Sequence, residues 1–207
     1  AAPASSFGFA ARTGTLLQLD RDAEARRLVE ERLRSTPDES VALHFLVDLE
    51  DKAGRYDRSE EIVRRLVDSG HGGSADFNIL AWMALIRGQV DDQAIANAQR
   101  SANMKGYGSY PALHTLASLY AEIGRTAEAY QIILQALGTR PDEEPSPDDW
   151  YVFGRLAEHY GLPDMARVYY ERVEKEPGEP DALSTWGLAR KRLAALGKAP
   201  RTGRAGG

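Results

Sequence analysis

Glycine recurs in this chain at positions 54, 88, 124, 161 and 197, at separations of 34, 36, 37 and 36 residues. Each is flanked by stretches in which apolar residues return at helical spacing. A glycine between two helices supplies the left-handed conformation that ends the first and lets the chain turn back. One such glycine constrains little. A near-constant period, with amphipathic segments on both sides, constrains the chain to a tandem array of helical hairpins. No hairpin in such an array buries its apolar face alone, so neighbours stack and share one core.

The unit from Tyr110 to Pro141 carries the pattern most fully. Leu113, Leu116, Ala117 and Tyr120 precede Gly124, Ala129, Ile133 and Ala136 follow it, and Pro141 closes the unit. The small residues let two antiparallel helices approach, and the large ones fill the space around them. Spacing by spacing the unit resembles the tetratricopeptide repeat (TPR), a helix–turn–helix of about 34 residues. The fold expected is all-α, a TPR-like α-solenoid. The resemblance implies a right-handed superhelix of about five hairpins plus a C-terminal capping helix, with first helices lining a concave face.

In order, the units expected are 8–37, 40–73, 74–109, 110–146 and 147–179, with a capping helix over 180–197, in one repeat domain spanning 1–197. The first is the least regular. It reads as a short helix from Arg12 to Leu19, a turn at Asp20 to Asp22, and a second helix from Ala23 to Ser35, while Phe7 and Phe9 either pack on that hairpin or fray. In the third unit Ala94, Ala98 and Ala102 lie one residue late, so the turn near Val90 to Gln93 must absorb an extra residue. Flexible Gly-rich connectors are expected at Ser69–Ser74 and Lys105–Ser109, and a solvated acidic linker at Asp142–Asp149. The fifth unit carries Trp150, Phe153, Gly154, Ala157, Ala166, Tyr170, Val173 and Pro177. Asp181 is expected to cap the last helix, and 198–207 reads as a flexible tail.

Composition removes several function classes. Of 207 residues 43% are hydrophobic, enough for a core and against wholesale disorder. A net charge of −5 argues against a nucleic-acid groove as the main surface. No apolar run approaches the roughly 18 residues of a membrane span. With no cysteine there is no disulfide, thiolate metal site or Cys nucleophile. The four histidines, 44, 71, 114 and 159, fall in different units without metal-ligand spacing, and the Gly-rich run around His71 has no nucleophile elbow to accompany it. No cofactor, metal or catalytic residue is expected, and the chain reads as no enzyme. It opens at Ala1, without Met or a basic–apolar leader, and so reads as a piece or a processed form of a longer protein. The compartment stays open between bacterial cytoplasm and periplasm.

The TPR resemblance implies a site. Ten residues before each hinge glycine stand His44, Asn78, His114 and Tyr151, and six before it stand Asp48, Trp82, Ser118 and Arg155. Asp51, Lys52, Glu122, Glu158 and His159 lie two or three before it. These positions imply a groove for a protein or peptide segment, in which Trp82 offers large contact area at low entropic cost. Trp82 can equally pack beneath a neighbouring repeat. A clamp for chaperone C-terminal carboxylates is disfavoured, because of the positions it needs only Asn78 carries a suitable type. A narrower resemblance lies in 149–173 and 184–196, and in LAWMALIRGQVDDQAIANAQRSA: these are similar to the C-terminal TPR region of large bacterial proteins with a transglutaminase-like domain. That resemblance implies a regulatory or positioning appendage that packs on its own parent chain and carries no catalytic residue. The function expected is a protein–protein interaction scaffold without nucleic-acid contact or membrane insertion.

Overall fold

The computed structural model describes residues 5–141, 144–175 and 183–198. Among these residues the chain forms eleven helices and no strand: α1 (Ser6–Gln18), α2 (Asp22–Ser35), α3 (Ser40–Lys52), α4 (Tyr56–Asp68), α5 (Ser74–Ile86), α6 (Asp92–Met104), α7 (Tyr110–Glu122), α8 (Thr126–Gly138), α9 (Pro147–His159), α10 (Pro163–Glu171) and α11 (Thr185–Lys198). The fold class is all-α, as the glycine period predicts. Packing divides the chain into two compact units, Ala1–Leu80 and Ala81–Gly207, with the division inside α5.

Each hairpin turns on one residue with positive φ. Gly54, Gly88, Gly124 and Gly161 lie between +68° and +77°. The following N–H then reaches the carbonyl five residues back: Arg55 to Glu50, Gln89 to Ala84, Arg125 to Tyr120 and Leu162 to Ala157, at 2.8–2.9 Å. This motif satisfies carbonyls that the helix end would leave orphaned. Gly197 does not belong to the series, since it lies inside α11. The remaining hinge is at the other end of the chain. Asp20 takes φ +54°, and Arg21 N–H donates to Leu16 O at 2.9 Å. An aspartate tolerates this conformation better than most side chains, so the hinge carries no glycine to mark it.

Five residues after the hinge stand Ala25, Ser59, Ala129 and Ala166, all buried. In the third hairpin Ala94 is buried at six residues after, with Asp91 capping α6 through Ala94 N–H at 2.8 Å. The extra residue expected between Val90 and Gln93 is there. The first helix is longer than expected, beginning at Ser6; Phe9 is buried on Phe45 and Phe7 is exposed. The connector at Ser69–Ser74 is held more firmly than its glycines suggest. His71 N–H donates to Leu66 O at 2.9 Å, and Gly73 N–H to the buried Asp76 carboxylate at 2.7 Å. In the acidic linker, Asp149 is fully buried as the third residue of a capping box with Ser146. The cap expected at Asp181, Pro177 and the tail beyond 198 lie outside the described residues.

In the first unit, Phe9, Leu16, Ala25, Val29, Ala42 and Leu49 form one cluster, and Leu43, Val47, Ile62, Val63, Leu66 and Leu80 a second. In the second unit the largest cluster is centred on α7, and Tyr151, Ala157, Ala166, Tyr170, Val173 and Ala189 close its far end.

A candidate protein-binding face

The positions ten and six residues before each hinge are one turn apart, so each pair shares one face of a first helix. In α3 that face is open. His44 and Asp48 are exposed. His44 Nδ1 lies 2.8 Å from Ser40 O, and Nε2 lies 3.1 Å from both oxygens of Asp76. Both ring nitrogens are therefore engaged. Asp48 has neither hydrogen bond nor ion pair among the described residues. Burial of its inner side, then the Asp51 carboxylate, push it above the ordinary carboxylate value, partly offset by His44. Lys52 does not relieve this pair, because its ammonium is held by Asp20 and Asp22 at 2.7 and 2.9 Å.

α5 carries Asn78 and Trp82 in different units. Asn78 is half-buried, and its shielded Oδ1 has no hydrogen bond. Trp82 is half-buried too. One side packs on the core cluster around α7, and its ring lies 6.0 Å from that of His114. Neither of the two expectations for Trp82 holds alone: it is part core and part surface.

In α7 and α9 the same face is closed, and here the expectation of an open groove needs correction. His114, Ser118, Tyr151 and Arg155 are all buried, at 4%, 0%, 1% and 6% exposure. Every residue of α7 from Ala112 to Ala121 is buried. Ser118 donates to its own helix at His114 O, 2.8 Å away. Tyr151 donates to Glu122 Oε1 and packs on Tyr170. Arg155 Nε lies 2.9 Å from Glu122 Oε1, and Nη1 donates to Glu158 Oε2 at 3.1 Å. Glu158 also accepts from Tyr170 at 2.5 Å and from Arg192 of α11. Burial, the largest influence on Glu158, pushes its pKa up; Arg192, Tyr170 and Arg155 outweigh it and hold the carboxyl below its usual value. Charges taken out of water must be paired in this way or neutralised. The side chains at these positions hold α7, α9 and α11 together.

His114 stands between the two cases. Its ring lies 5.7 Å from Tyr110 and 6.0 Å from Trp82, and its buried Nε2, 3.9 Å from Asp149, makes no hydrogen bond. Asp149 is occupied by Tyr110 at 2.9 Å and by Ser146 at 2.7 Å, while the Arg140 guanidinium lies 3.4 Å from the Tyr110 ring centroid. Sequence spacing did not single out Tyr110, Arg140, Asp149, Tyr170 or Arg192 as partners in these networks. The signal available was the Ser-Pro-Asp-Asp run before Trp150, which is a helix-start signature. No group of three or more His, Asp or Glu side chains among the described residues could hold a metal ion. Nor is any described helix long and apolar enough to cross a membrane.

No family model matches the sequence, and no curated protein matches it. Solved structures do. YrrB, described as a TPR protein with an unusual peptide-binding site, is 13% identical at a TM-score of 0.65, covering 92% of this chain and 91% of its own. MamA is 17% identical at 0.61, covering 88% and 92%. PilW, a widely conserved type IV pilus biogenesis factor, is 17% identical at 0.60, covering 93% and 88%. At such identities the likeness is one of backbone, and it agrees with the hinges, the buried small residues and the paired helices above: the chain has the helical-hairpin repeat fold of TPR proteins.

Proposed function

We propose that this chain is a protein–protein interaction module whose first-helix face binds a segment of another protein. The observation that carries the reading is the open face of α3 in the first unit, where His44 and Asp48 are exposed and Asp48 makes neither hydrogen bond nor ion pair among the described residues. That face also sets a preference. Asp48 and Asp51 stand together without a cation, so a segment carrying Lys or Arg is favoured there. In the second unit, Trp82 separately offers the exposed part of its ring as an apolar contact.

Panning a displayed peptide library against the full chain, followed by titration calorimetry, tests this. Selected peptides are expected to be rich in basic and apolar residues and to lose at least about tenfold in affinity on Trp82→Ala or Asp48→Asn. Ligands unaffected by either substitution would refute the reading. Tyr151→Ala is a poor probe, since removing a buried ring unfolds its surroundings.

The resemblance to the tail of transglutaminase-like-domain proteins supports a second reading, in which the bound segment belongs to the parent chain. The corresponding stretches include the second half of α5, most of α6 and α9, and all of α10. Adding back upstream sequence then protects Trp82 and Asp48 from labelling, whereas independent tumbling of the two parts speaks against it.

A further inference from the structure

The outward side of α10 differs from that of the first, second and fourth hairpins. Residues one and four after the hinge are Arg21 and Glu24, Arg55 and Arg58, Arg125 and Glu128; in the fifth hairpin they are Leu162 and Met165. Arg21 and Glu24 form an ion pair at 2.7 Å, and Arg125 and Glu128 one at 2.9 Å. Seven after the hinge, Glu61 pairs with Arg58 at 2.6 Å and Gln131 is exposed; the fifth hairpin has Val168. Leu162, Met165 and Val168 are 47%, 48% and 49% exposed. Packing within the chain does not require apolar residues at positions that elsewhere face water.

These residues flank a shallow cleft lined by Trp150, Asp164, Met165, Val168, Tyr169 and Arg172. Trp150 stacks on Tyr169 with centroids 5.7 Å apart, and the Arg172 guanidinium lies 4.5 Å from the Trp150 ring centroid. Asp164 and Arg172 bracket the apolar stripe and have no ion-pair partner among the described residues. Asp164, Val168 and Arg172 follow one i, i+4, i+8 ridge about 12 Å long.

That ridge is self-complementary. Crossed antiparallel with its own copy about a two-fold axis at Val168, it sets Asp164 of each protomer against Arg172 of the other, at both ends. Met165 then reaches the other protomer's Trp150–Arg172 stack, where a thioether suits an aromatic edge. We propose that the outer face of α10 is an isologous contact between two copies of this chain. This surface is separate from the first-helix face and does not depend on its function. The patch is small beside the roughly 800 Å² per partner of a standard interface, so the dimer is weak, with a Kd on the order of 0.1 mM.

Sedimentation velocity on the full chain, from about 10 µM to 1 mM, tests the contact. The wild type shifts from monomer to dimer over that range. Asp164→Arg and Arg172→Glu each weaken association at least about tenfold, because like charges then face each other. The two changes in one chain restore it, because the pairing is re-formed with reversed sign. Val168→Glu, on the axis, abolishes it, and far-UV circular dichroism confirms that each variant stays folded. A monomer at every concentration, which would leave the face to a partner of another kind, overturns the proposal. So does a dimer that the double reversal fails to restore.

Discussion

The two units use the same repeat positions for opposite ends. In α3 of the first unit, the residues ten and six before the hinge are an exposed histidine and an exposed, unpaired aspartate. In α9 of the second, the equivalent residues are Tyr151 and Arg155, buried and bound to Glu122 and Glu158. Backbone and hinge are alike in both, so the repeat pattern does not decide whether this face is open. What decides it is reach. Tyrosine and arginine are long enough to meet carboxylates at the ends of α7 and α9, whereas His44 is tethered to Asp76 and Asp48 finds no cation. The first unit leaves these polar groups at its surface, and the second uses them for its own cohesion.

Removing the arginine is the strongest way to break this comparison. Arg155→Ala leaves Glu122 and Glu158 short of their shared cation. It is expected to destabilise by about 2–3 kcal/mol, below the 3–5 typical of a fully buried pair, because Tyr151 and Arg192 remain. Asp48→Ala, at the matching position, is expected to stay within about 0.5 kcal/mol of wild type. Urea unfolding of both variants measures the contrast, and equal effects would erase the distinction.

A second variant sharpens the comparison within the second unit. Ala117 and Gly154 occupy equivalent positions seven before the hinge, facing Ile133 and Tyr170 nine after it. A Cβ on Gly154 would meet Tyr170 ring carbons at 2.4–2.8 Å. The larger ring is admitted because the smaller residue makes room. Gly154→Ala therefore costs about 1–3 kcal/mol by overpacking, even though alanine is the better helix former by about 1 kcal/mol. A variant more stable than wild type in the same assay would show that the ring can move aside.

Asp48→Asn gives the smallest effect, and its sign is the informative part. A carboxyl whose folded pKa is raised costs stability above that pKa, and the cost vanishes below the unfolded value near 3.8. At neutral pH the variant is expected to gain a few tenths of a kcal/mol, within the range of surface substitutions. The gain closes as pH falls through the raised pKa of Asp48. For Glu158 the sign reverses: its depressed pKa stabilises above the unfolded value near 4.5, and that contribution is lost as pH falls. Thermal melts from neutral to acid pH separate the two.

The repeat was legible in the sequence because hinges and small core residues are local requirements: each needs one residue type at one position. Four of the five hinges follow from glycine alone, and the fifth reads only as a turn at Asp20 to Asp22, because Asp20 does the same work with a side chain. Gly197 misled because a glycine inside a helix looks no different from one after it. The candidate face was less legible. Spacing put Tyr151 and Arg155 on a first helix, but their burial depends on residues about 30 positions away, such as Glu122 and Arg192. The buried Asp149 in a run of charges shows the same limit, since its burial depends on Tyr110.

Histidine C2–H exchange measured by mass spectrometry at about pH 9, where a free imidazole is neutral, tests the open-versus-closed contrast most directly. His44 and His114 are equivalent residues, one exposed and one buried. His44 is expected to exchange at least about ten times faster than His114, in keeping with the burial of His114. Equal rates for the two would contradict it.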